Sequence, residues 1–232
     1  MTWGTITEEG VAAAEQLVNV PLRRDRMQWI EEITVDSIRH FAWGIGDNNP
    51  LWLDRKYASQ SIHGDLVAPP CILYAVDGTV VAPKLPGVQW LYAGTSWTWF
   101  EPILLGDKFS VEARLKKQEL KSGRRFSKWV LQTGEINYFN QHGRMSGKAI
   151  ARCARTPRGE ALKKEKKSKP VKSTAPHSYS KKEIEEIENQ VLQEPRRGSE
   201  PLFWGDVSIG EMVPQVVRGP LGVIDIMAWY SG

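Results

Sequence analysis

The 232-residue sequence predicts an α+β fold in which one antiparallel sheet wraps a central helix. Two observations carry this. Residues 90–100, 108–121, 125–140 and 144–156 are long segments rich in aromatic and β-branched residues, separated by the turns Pro102 to Asp107, Ser122-Gly123 and Gln141-His142-Gly143. Ahead of them the apolar run 71–82 begins behind Pro69-Pro70, and proline at or just before a first helical turn sacrifices no hydrogen bond. Consecutive antiparallel strands after one apolar helix fit a layered α+β architecture, and their length suits a sheet curved around that helix.

The remaining elements follow in order. Residues 7–19 place Val11, Ala12, Leu17 and Val18 in a helix that opens with Glu8 and Glu9, suited to the positive end of the helix dipole. Residues 29–35 read as a short strand, and Asp36 is the expected cap of a helix carrying Ile38, Phe41, Ala42 and Ile45 at helical spacing. That helix delivers the loop Gly46-Asp47-Asn48-Asn49-Pro50-Leu51-Trp52-Leu53-Asp54, followed by a short helix over 54–61. Residues 179–193 read as a charged helix with Ile184, Ile187, Val191 and Leu192 on one stripe, ended by Pro195.

Composition narrows the class. With 41% hydrophobic residues and ten Trp the chain has ample material for a core. The first residues lack the basic and apolar regions of a signal peptide, and no run reaches the ~20 apolar residues that cross a bilayer, so a cytoplasmic, non-membrane protein is expected. Cys71 and Cys153 have no metal-ligand spacing and are expected to stay reduced. The net charge of +4 hides a cluster, Arg158, Lys163, Lys164, Lys166, Lys167, Lys169, Lys172, Lys181 and Lys182, set among Pro157, Pro170 and Pro176. Long-range attraction of phosphate groups is one reading of it, and a solvated tether is the other. The tether is preferred and no nucleic-acid partner is expected, since no aromatic platform is interleaved with the lysines.

The loop at Asp47, Tyr57-Ala58, Ala68-Pro69-Pro70, Gly94 and the turn from Pro102 to Asp107 occur in the order seen in MaoC-like (R)-specific enoyl-CoA hydratases, which residues 29–155 resemble. With Trp97-Thr-Trp-Phe-Glu-Pro102, the chain is most similar to the N-terminal, dehydratase-type domain of two-part MaoC-like proteins. The resemblance implies a hot-dog fold, an acyl-CoA ligand and no cofactor beyond the coenzyme A thioester itself. In that family the loop reads Gly-Asp-x-Asn-Pro-Leu-His-x-Asp, and the Asp and His grip one water. Here the Asp is Asp47 and the His position is Trp52, whose indole is a donor and not a base. Pro69-Pro70 replace the family's His-Gly, leaving no N–H there, and the serine of many active members falls at Ala75. Gly94 matches the glycine whose N–H faces the thioester carbonyl, with a β-bulge as the alternative reading.

The expected organisation is an N-terminal helical segment (1–28), a hot-dog domain (29–157), a basic linker (158–182) and a helix with an apolar docking tail (183–232). The expected site combines Asp47, as the remnant of the catalytic pair, with Asn49, Trp52, Pro70 and Gly94 toward the substrate. The expected role is a noncatalytic or weakly catalytic subunit that completes a double hot dog with a partner bearing an intact Asp and His, or with a second copy. Two rivals stay open: an acyl-CoA-binding or structural protein without chemistry, and a self-sufficient hydratase pairing Asp47 with His63 or Asp54. A thioesterase of the same fold is a weaker alternative.

Overall fold

The computed structural model describes residues 4–22, 28–123, 126–158, 177–195, 198, 200 and 202–231. Most of the expected basic linker lies outside the described residues. By internal contacts the chain divides into two units, 1–38 with 67–172, and 39–66 with 173–232.

The first unit holds the sheet. Its strands run β1 (Pro21–Leu22), β5 (Ser110–Lys121), β6 (Trp129–Phe139), β7 (Met145–Thr156) and β3 (Gln89–Trp99), antiparallel throughout. A separate pair joins β2 (Val67–Ala68) to β4 (Ile103–Leu104). Period-2 burial is plainest along β6, where Val130, Gln132, Gly134, Ile136 and Tyr138 turn inward. Helix α1 (Glu8–Glu15) begins at Thr7, whose hydroxyl caps the amide of Gly10, and is shorter than the expected 7–19. Ile6 and Val11 pack on a cluster of Leu85, Val88 and Val130.

The hot-dog arrangement expected from the sequence is present, but its central helix is not long. Instead of 71–82, helix covers a 3-10 turn, Pro70–Ile72, and one α-turn, α5 (Leu73–Val76). At Asp77 the backbone becomes extended, its carboxylate bonds the amide of Gly78 at 2.7 Å, and its carbonyl accepts from the Tyr138 hydroxyl at 3.0 Å. The sheet thus takes the carbonyl that a next helical turn would need. Val80 and Val81 lie in chain without regular structure, and Val81 sits directly over Gly134 of β6, where any Cβ would collide with it. Leu73 occupies the corresponding place over Gly147 of β7. The apolar run is therefore a core segment that begins helical and continues as irregular chain.

The chain then turns through Lys84 and Leu85, both at positive φ (59° and 54°), which is costly for residues bearing a Cβ. The buried guanidinium of Arg155 holds this turn, donating to the carbonyls of Ala82 (2.8 Å), Lys84 (3.2 Å), Leu85 (2.7 Å) and Val88 (3.4 Å) and to Gln132 (3.1 Å). Burial draws its pKa down from the usual arginine value.

Two further expectations are corrected. Residues 29–35 do not form a strand: Ile33 and Asp107, Gly106 and Ile33, and Phe109 and Glu31 exchange backbone hydrogen bonds around a single bridge at Glu32. The ladder stops there because Gly106, at φ 89°, turns the facing chain away. Helix α2 (Val35–Gly44) is capped by Thr34, which exchanges side-chain to backbone bonds with Ser37, while Asp36 lies inside the first turn.

In the second unit, the end of α2 leads through the Asp47 loop into α3 (Pro50–Leu53) and α4 (Arg55–Ser59). Helix α6 (Lys181–Leu192) opens with a reciprocal capping box between Ser180 and Glu183. A 3-10 turn (Trp204–Asp206) and α7 (Val223–Ser231) follow, with Trp204, Ile209, Met212, Val213, Leu221 and Ile224 exposed.

Candidate functional site

The Asp47 loop is organised by successive side-chain caps. Gly46, at φ 67°, turns the chain out of α2, and the amide of Asp47 bonds the Ala42 carbonyl at 2.8 Å. Asp47 Oδ1 accepts the amide of Asn49 at 3.0 Å, and Asn49 Oδ1 in turn accepts the amide of Leu51 at 3.0 Å, starting α3 with Pro50 at its first position. Asp54 caps α4 through the amides of Lys56 (2.9 Å) and Tyr57 (3.1 Å). The sequence Asp-x-Asn-Pro is thus a pair of interlocked turns, and its polar atoms have a structural use whatever else they do.

The second carboxylate oxygen of Asp47 accepts the Trp52 indole Nε1–H at 2.9 Å. One turn of α3 brings the two side chains together. Because the donor is bonded straight to the carboxylate, no water stands between residues 47 and 52, and neither ring nitrogen nor carbon of the indole can take up a proton at neutral pH. The carboxylate remains, but its companion only donates. Below the loop, Arg55 grips Asp65 with two bonds of 2.9 and 2.7 Å, which pulls the exposed Asp65 carboxyl below its usual range.

Two clefts adjoin along this segment. One, of about 450 Å³, is lined by Asp47, Asn49, Leu51, Tyr57, Pro195 and Arg218 among others. The next, of about 380 Å³, shares Leu51, Tyr57 and Gly198 with it and reaches Ser61 and His63. His63 donates its backbone amide to Ser61 Oγ at 3.2 Å and lines the second cleft, not the one that holds Asp47.

Gly94 and Pro70 belong to the first unit. Gly94 lies at a bulge of β3, where the register against β7 shifts between Tyr92 and Thr95, and its φ of 105° is open to glycine alone without strain. The bulge reading of this glycine is therefore present in the backbone. The Pro70 carbonyl accepts the Trp99 indole N–H at 2.9 Å. Beside Gly94 runs a chain of hydroxyls that sequence reasoning missed: Tyr74 to Tyr92 (3.2 Å), Tyr92 to Thr95 (2.8 Å) and Thr95 to Thr79 (3.3 Å). Desolvation raises the Tyr92 pKa, so the phenol stays protonated at neutral pH. Nothing in the spacing of these residues marks them, since they meet only through the fold. Among the described residues no cluster of three potential metal ligands occurs, and no helix is long and apolar enough to cross a membrane.

Comparison with known proteins places this architecture. A UPF0336 protein of Parafrankia sp. is 34% identical over 87 residues, covering 34% of this chain and 58% of the relative. The chain spans about three-fifths of the length of the curated relatives it matches. Among solved structures, the ChsH1–ChsH2 complex from Mycobacterium tuberculosis superposes with a TM-score of 0.50 at 18% identity, covering 66% of this chain and 97% of that one, which shows the shared fold. A MaoC-like dehydratase from Rhodospirillum rubrum matches at 23% identity over 58% of this chain and 92% of its own, with a TM-score of 0.44. The family described as FAS1-like, dehydratase domain region, matches residues 24–145, more than half of the 232 residues. The chain belongs to this FAS1-like dehydratase domain family.

Proposed function

We propose that the protein is a noncatalytic or weakly catalytic subunit of a MaoC-like enoyl-CoA hydratase or 3-hydroxyacyl-CoA dehydratase. The observation that carries this is the Trp52 Nε1 to Asp47 hydrogen bond of 2.9 Å. Adding water to a 2-enoyl thioester requires a base for one proton and an acid for the other, and a positioned acid–base group is typically worth about 10²–10⁴-fold in rate. An indole bonded directly to the carboxylate supplies neither a base nor room for the water. In this reading Asp47 is the remnant of the catalytic pair, Trp52 fills the place of the imidazole, and Asn49, Trp52, Gly94 and Pro70 are the substrate-side residues of their respective units. The ligand is an acyl-CoA, and no further cofactor takes part.

A partner hot-dog chain with an intact Asp and His completes the site. The surface that favours this is β3, the last strand of the sheet, whose outer edge has no strand beside it among the described residues. Trp90, Leu91, Tyr92, Trp99 and Phe100 are all exposed there. An open apolar edge is a template for pairing with another chain. The M. tuberculosis structural neighbour is itself a ChsH1–ChsH2 complex, which agrees with a paired arrangement. The proposed setting is the cytoplasm.

The test is co-purification followed by hydration of crotonyl-CoA and longer enoyl-CoA substrates. The isolated chain is expected to be inactive or feeble, and the complex with a His-bearing partner active. In that complex Asp47→Asn should change the rate by less than about threefold, against the roughly 10²–10⁴-fold loss expected of a working acid–base group. Ordinary enzyme rates from the chain alone, abolished by Asp47→Asn, would replace the subunit reading with a self-sufficient hydratase.

A further inference from the structure

Within the first unit, the elements that carry Pro70 and Gly94 are joined by a pair of phenols. Tyr74 stands on α5, directly after the Pro70–Ile72 turn, and Tyr92 stands on β3 two residues before Gly94. Their hydroxyls meet at 3.2 Å. From Tyr92 the hydroxyl chain crosses the bulge, because Tyr92 donates to Thr95 Oγ1 on its far side at 2.8 Å, and it ends inward at the buried Thr79. The Tyr74 ring is held edge-on against Trp97, with centroids 4.9 Å apart and planes at 71°. At Gly94 itself a Cβ would meet nothing within 4 Å, so the backbone beside the phenols faces open space.

Each hydroxyl carries one proton, which fixes the direction of the chain. Tyr92 gives its proton to Thr95, so the proton between the two phenols belongs to Tyr74. The outer end of the chain is therefore the Tyr74 oxygen with its lone pairs, an acceptor strengthened by the bonds it donates into. A thioester carbonyl or an alkene offers no proton to such an end, whereas a hydroxyl does. We propose that Tyr74 and Tyr92 accept a hydrogen bond from a hydroxyl on the acyl chain of a coenzyme A thioester, so that the protein prefers hydroxyacyl over unsubstituted acyl ligands. This rests on the acyl-CoA reading and names the chemical group that the first unit selects. The amide N–H groups of the pantetheine arm are donors too, but they are common to every coenzyme A thioester. Ligands that differ only in the acyl hydroxyl therefore separate the two sources.

Isothermal titration calorimetry of the full chain with 3-hydroxybutyryl-CoA and with butyryl-CoA tests it. The hydroxylated ligand is expected to bind about three- to tenfold more tightly, the range of one net hydrogen bond. In the double variant Tyr74→Phe with Tyr92→Phe the two affinities should come within about twofold of each other, through weaker binding of the hydroxylated ligand alone. Equal affinities in the unsubstituted chain, or a preference kept in the double variant, overturn the proposal. Equal weakening of both ligands in the double variant also overturns it, by assigning the contact to the pantetheine amides. Should circular dichroism show the double variant unfolded, Thr95→Val decides, since it removes the acceptor of the Tyr92 proton and touches neither phenol. Loss of the preference in Thr95→Val supports the proposal, and an undiminished preference overturns it. Binding of neither ligand overturns the acyl-CoA reading together with this one, whereas binding without preference overturns this one alone.

Discussion

Trp52 and Asp47 show how much a single position controls. The five-residue separation that would place an imidazole beside the carboxylate places an indole there instead, and the loop geometry carries over because α3 and its caps set the spacing. The loop itself was legible in the sequence through its Gly-Asp-x-Asn-Pro signature, whereas the turns and caps made by Asp47, Asn49 and Asp54 came only with the structure. The direct indole-to-carboxylate bond was not legible, because it depends on a rotamer. Trp52→Phe keeps an aromatic ring, though a smaller one, and removes the donor. It should lower stability by about 1 kcal/mol, the scale of one partly exposed bond to a carboxylate, in denaturant unfolding followed by circular dichroism. A loss above roughly 3 kcal/mol would mean that Trp52 acts mainly through packing.

At the scale of elements, the four long strands were legible, and the short strands and the extent of the central helix were not. Residues 89–99, 110–121, 129–139 and 145–156 follow the alternation and the turn residues that flank it. The run 71–82 is apolar at nearly every position, and such a run does not declare its period. Its outcome is set from across the core, by Tyr138 taking the Asp77 carbonyl and by the two glycines that admit Leu73 and Val81. Gly134→Ala and Gly147→Ala should each destabilise by about 1–3 kcal/mol through overpacking, visible as a lowered Tm. Arg155 acts on the same segment from β7. Arg155→Met leaves four buried or half-buried carbonyls without their donor and should lower stability by at least about 3 kcal/mol. Helix α6 gives a pH test: backbone and side-chain bonds from Ser180 hold the Glu183 pKa below its ordinary value. A lowered folded pKa means the contribution is complete above the unfolded value, about 4.3, and fades as pH falls through the folded one. The protection factor of amides in the first turn of α6, taken against the intrinsic exchange rate at each pH, should therefore be highest near neutrality and fall in acid.

For the whole molecule, the α+β class and the family followed from signals spread over more than a hundred residues, whereas the division of the chain by contacts did not. Residues 39–66 sit inside the sequence span of the sheet-bearing unit and yet group with 173–232, a long-range pairing that no local pattern encodes. Among the described residues, exposed apolar side chains gather along the β3 edge and in the tail around Trp204 and Ile224. The subunit reading assigns the partner to the strand edge, and substitution separates the two. A lysine on an edge strand blocks edge-to-edge pairing while leaving the strand's own ladder in place, since an exposed side chain contributes little to the core. Leu91 is 42% exposed on β3, and its cross-strand neighbour is Ala154. Leu91→Lys should preserve the circular dichroism spectrum and abolish co-purification of the hot-dog partner, with loss of hydratase activity from the complex. Trp204→Glu, in the tail, should leave co-purification intact. The reverse pattern, with association lost through Trp204→Glu and kept in Leu91→Lys, would move the interface to the tail and leave the β3 edge without a role in assembly.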